Sequence, residues 1–78
     1  MENGSPEQFY AVKRHNAVRL RRQLEAAYAT LDQLLKLERQ VPGAEMEALL
    51  EVRAPLSQAM QVASNLTEET EAMLGYVR

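Results

Sequence analysis

The 78-residue chain has no cysteine, no tryptophan and a single histidine, and only three prolines and three glycines interrupt it. Without cysteine there is no disulfide staple, no thiolate metal site and no thiol nucleophile, so a small disulfide-bonded secreted fold is excluded. Charge of one sign is also missing: eleven acids against nine bases leave a net charge of -2, and such a molecule has no broad field that would collect phosphates or anionic lipid. No run approaches the roughly 20 apolar residues of a membrane span, and Met1 to Pro6 show neither a basic leader nor an apolar stretch. A single small, soluble, untargeted cytoplasmic domain is the expectation.

What the chain does have is helix-forming sequence between widely spaced breakers. Ser5 precedes Pro6, and Gln8 stands three residues after Ser5, the arrangement of a capping box with proline at the first helical position. A first helix is predicted over about 6–40, where Ala, Leu, Arg, Gln, Glu and Lys dominate. Val41, Pro42 and Gly43 then make a turn, because proline disfavours helix in the residue before it and glycine tolerates a left-handed bend. A second helix is predicted over about 44–76, kinked or split at Pro55.

Apolar residues recur at alternating steps of three and four. In the first helix the row is Ala17, Leu20, Leu24, Ala27, Leu31 and Leu34, continuing past Glu38 to Val41. In the second it is Leu49, Val52, Leu56, Ala59, Ala63, Leu66, Thr70, Met73 and Val77. Both read as heptad seams, and no period-2 alternation suggests a strand. Equal arms joined by a tight link give an all-α, coiled-coil-like antiparallel hairpin. Its register would set Lys13, Arg14, Arg19, Arg21 and Arg22 beside Glu68, Glu69 and Glu71, which argues against the basic run being a nucleic-acid or membrane-surface patch.

Each helix carries more apolar residues than one seam can hide. Tyr28, Leu35, Met46, Leu50 and Met60 are therefore expected to line a surface for another protein, the methionines suiting an adaptable contact. No residue set suggests catalysis. His15 lies among bases, the serines have no histidine at a suggestive spacing, and Glu68, Glu69 and Glu71 lack the glycine-bearing pattern of a calcium loop. Neither a cofactor, a metal nor a small-molecule substrate is expected. Asn65-Leu66-Thr67 matches a glycosylation acceptor but falls in mid-helix and is read as chance.

The stretch Leu20-Arg21-Arg22-Gln23-Leu24-Glu25-Ala26-Ala27, with Leu56 to Leu66 and Asn65-Leu66-Thr67-Glu68-Glu69 after the turn, resembles the small co-chaperones of type III secretion needle subunits, the YscE and PscE type. That resemblance implies a short hairpin that binds a tetratricopeptide-like chaperone and helps keep the needle protein monomeric in the bacterial cytoplasm. It implies work by covering apolar surface, with no turnover. The same seams would also serve a structural coiled-coil subunit of a larger assembly, or a self-associating four-helix homodimer.

Overall fold

A computed structural model describes residues 5–41 and 43–77, and within them the chain forms two helices, α1 (Pro6–Gln40) and α2 (Met46–Val77). Residues 1–4, the breaker Pro42, the side chain of Val77 and Arg78 lie outside the described residues. Helix α1 starts as its cap dictates: the Ser5 hydroxyl accepts from the Gln8 backbone N–H at 3.2 Å, with Pro6 just inside. It ends at Val41, whose N–H still donates to the Leu37 carbonyl at 3.2 Å. The Glu38 side chain then folds over the turn, and its Oε1 accepts from the Gly43 N–H at 3.0 Å. A Cβ on Gly43 would sit only 3.0 Å from that oxygen, so glycine allows the carboxylate its close approach.

Helix α2 begins at Met46, two residues later than expected, because Ala44 and Glu45 are used by the turn. It runs through Pro55 as one continuous helix rather than splitting there. Pro55 is exposed, so the Glu51 carbonyl that loses its helical donor faces the solvent side rather than the seam.

The helices lie side by side in a rod of 57 × 23 × 14 Å. Their register is the one the charges require, with Arg14 Nη2 2.7 Å from Glu71 Oε2 and Lys13 Nζ 3.8 Å from Glu69 Oε1. Among the described residues the buried set is small: Ala17, Leu31 and Leu35 of α1, with Ala63, Thr70 and Leu74 of α2. The Thr70 hydroxyl donates to the carbonyls of Leu66 and Thr67 in its own helix, so its burial leaves nothing unpaired.

The seam differs from the expected one in a regular way. One row of each helix is as anticipated, through Ala17, Leu24 and Leu31 in α1 and Leu49, Leu56, Ala63 and Thr70 in α2, all buried or half-buried. The other row lies one position further along. Tyr28 and Leu35 turn inward where Ala27 and Leu34 were expected, and in α2 Arg53, Met60, Thr67 and Leu74 join the seam beside the expected Ala59, Leu66 and Met73, which stay half-buried, while Val52 is exposed. Leu20, Leu34 and Val52 are correspondingly 42%, 44% and 47% exposed. Volume explains the choice at the middle of the rod: Tyr28 and Met60 fill the gap between the helices, which Ala27 and Ala59 would leave underpacked.

Candidate interaction surface

The row displaced from the seam has to go somewhere, and the antiparallel geometry decides where. The displacement has the same sense in number along both helices, and because the helices run in opposite directions it carries both rows to the same side of the hairpin. The Lys13–Glu69 ion pair shows this directly, since Lys13 belongs to the Leu20, Ala27 and Leu34 row of α1 and Glu69 to the Val62 and Tyr76 row of α2. The Arg14–Glu71 pair closes the opposite edge.

One side of the rod is therefore apolar along its length. Phe9, Leu20, Leu34 and Leu37 of α1 lie on it with Val52, Val62 and Tyr76 of α2, and among the exposed large apolar residues of the helices only Val12 and Leu50 lie elsewhere. Half-buried Ala59, Leu66 and Met73 continue the surface inward. The polar residues among them are sparse and mostly neutral: Asn16, Gln23 and Thr30, with the Thr30 hydroxyl already donating to the Ala26 carbonyl at 3.0 Å. Within the two helices the only charges in these rows are Lys13 and Glu69, and they pair with each other. Lys13 Nζ also stands 5.9 Å from the centroid of the Phe9 ring, a cation–π distance.

The other side is charged. It carries Glu25, Asp32, Arg22, Lys36 and Arg39 from α1 and Glu47, Glu68 and Glu71 from α2. The basic run of α1 is dispersed around the helix rather than gathered on one face. Lys13 and Arg14 are tied to Glu69 and Glu71, Arg21 binds Glu25 at 3.1 Å, and Arg19 points away from α2. A single-sign stripe able to follow a phosphate backbone does not form.

The residues expected to make a partner surface are placed otherwise. Tyr28, Leu35, Met46 and Met60 belong to the seam, Leu35 at 1% exposure, while Leu50 is 40% exposed on the charged side. Tyr28 and Met60 are larger than Ala27 and Ala59, and Leu35 follows Tyr28 in the same row; the surplus apolar surface is instead centred on Leu20, Leu34 and Val52. Tyr28 makes the one polar link across the middle of the seam: the Arg53 guanidinium donates to its hydroxyl at 3.2 Å and lies 5.8 Å from its ring centroid. Accepting that bond, Tyr28 holds Arg53 above its ordinary basicity.

Among the described residues, one shallow surface groove is lined by Phe9, Val12 and Lys13 and another by Val18, Arg21, Glu25 and Thr67. In the second of them Thr67 donates to the Ala63 carbonyl and Arg21 is held by Glu25. Among the described residues no cluster of His, Cys, Asp and Glu could hold a metal, and no helix is long and apolar enough to cross a membrane. No family model, no curated protein and no solved structure matches this chain.

Proposed function

We propose that this chain is a non-catalytic interaction subunit, a helical hairpin that works by presenting one apolar face to another helical polypeptide. The observation that carries this reading is the segregation around the rod: leucines, valines and aromatics on one side, interrupted by the neutral Asn16, Gln23 and Thr30 and the mutually paired Lys13 and Glu69, against charges on the other. Exposed apolar area of this continuity marks an interface in a protein that stays in solution. Helical partners suit it because an elongated face with heptad spacing accepts ridges of side chains along its whole length. A cytoplasmic secretion co-chaperone is one specific form of the proposal, supported by the Leu20–Ala27 and Asn65–Glu69 resemblance, and a permanent assembly subunit is another.

The test is the state of the purified chain. The expected outcome is that it is found within an assembly heavier than 8.8 kDa, or else binds an apolar dye strongly, and that Leu20→Glu with Val62→Glu suppresses whichever is seen while far-ultraviolet dichroism still reports helix. A monomer that binds no such dye would overturn the reading.

A further inference from the structure

We infer that the occupant of the apolar face is a second copy of this chain, forming a four-helix bundle in which the two turns lie at the same end. This rests on the interaction-subunit reading and commits it to one partner. The first support is area. The chain exposes 5971 Å², whereas a compact protein of 8.8 kDa exposes about 4,800 Å². The excess, about 1,200 Å², reflects an elongated rod, and its 57 × 23 Å side is broad enough to supply the roughly 800 Å² that each partner contributes to a standard stable interface.

The second support is the order of residues along the face. Leu20 lies at the level of Leu66, Ala27 at that of Ala59, and Leu34 at that of Val52, given the register fixed by Arg14 and Glu71. The face is thus layered large, small, large. A two-fold axis parallel to the helices lays each layer on its own copy, α1 over α2 of the other chain, so the alanine layer permits close approach while the leucine layers above and below fill the space between the rods.

Charge then chooses between the two possible axes. With the turns together, Lys13 faces Glu69 of the second copy and Glu69 faces its Lys13, so the two intramolecular pairs join in a quartet of alternating sign. With the turns at opposite ends, Glu69 would instead be set against the first turns of α2 near Ala48, an apolar stretch with no base in the same rows. Glu69 would then keep only the Lys13 of its own chain and gain no base from the second copy, so that arrangement forgoes the pairing between copies that the shared-end one makes.

The absence of cysteine makes the experiment direct, because Ala44→Cys, in the exposed turn, gives one label per chain. Sedimentation equilibrium of the purified protein should give twice 8.8 kDa, and pulsed electron resonance between Ala44→Cys spin labels should give a separation of roughly 20–30 Å, the width of a four-helix bundle. Lys13→Glu should weaken the dimer at least tenfold, and Lys13→Glu with Glu69→Lys should restore it. A dimer whose labels lie near the 57 Å length of the rod overturns the shared-end arrangement. A monomer that binds an apolar dye overturns the second copy as occupant and leaves the interaction-subunit reading standing, whereas a monomer that binds none overturns both.

Discussion

Leu34 and Leu35 are adjacent, identical in chemistry, and assigned to different tasks. Leu35 is 1% exposed inside the hairpin and Leu34 is 44% exposed on the apolar face. Leu35→Ala should therefore cost about 2–5 kcal/mol of stability through lost burial and the cavity left behind, lowering the urea midpoint at every protein concentration. Leu34→Gln should leave the hairpin helical but abolish the dependence of that midpoint on concentration, since stability from association follows mass action. Tyr28→Phe removes the hydroxyl that Arg53 binds and should lower the melting temperature modestly. Its pH behaviour follows from the raised basicity of Arg53. A group held higher in the folded state contributes fully below its unfolded pKa and loses that contribution only as pH rises through the arginine range, so the effect of Tyr28→Phe should be equal at pH 5 and pH 9.

At the scale of the element, the ends and the single proline have separable consequences. Glu38 occupies a seam-row position that looked like a fault in the heptad, and its use is to hold the Gly43 N–H. Glu38→Ala should cost about 0.5–1.5 kcal/mol, read by chemical denaturation, and Glu38→Gln should recover most of it. Pro55 interrupts no packing that α2 needs, yet deprives the Glu51 carbonyl of its donor, so Pro55→Ala should stabilise the chain by about 1–3 kcal/mol. Much of this level was legible in the sequence: Ser5, Pro6 and Gln8 placed the start of α1, and the opposed charges placed the register. The second seam row was not, and for a physical reason. A heptad fixes one row and leaves the next at plus three or plus four, and here both options are apolar, Ala27 and Leu34 against Tyr28 and Leu35, Ala59 and Met73 against Met60 and Leu74. Pattern counts prefer plus three, because plus four includes Arg21 and Arg53. Packing prefers plus four, because tyrosine and methionine fill a gap that alanine cannot, while arginine can lay its stem on the seam and keep its head at the edge. The surface that stands as the candidate interface was therefore visible as a pattern but read as core.

For the whole molecule, the sorting of charge makes a prediction about salt and specificity. Reversing Arg14, Arg19 and Arg22 to glutamate touches the seam edge, the outer side and the charged side, but none of the apolar rows. The triple variant should bind any partner of that face as the parent does, measured by sedimentation, with a small loss of hairpin stability from the broken Arg14–Glu71 pair. Added salt should weaken the assembly only slightly, because its driving force is burial of apolar area.

Thr70 turns its hydroxyl back into its own helix, and the buried positions nearest it in the far half of the rod include Ala17 and Ala63. Apart from Leu74, the buried side chains there are small and internally satisfied, so few knobs oppose the sliding of one helix along the other by a heptad. Alignment of the two arms is consequently enforced by the covalent loop and by the charged edges, and a protease that severed the chain between α1 and α2 would convert a fixed hairpin into two strips free to shift in phase.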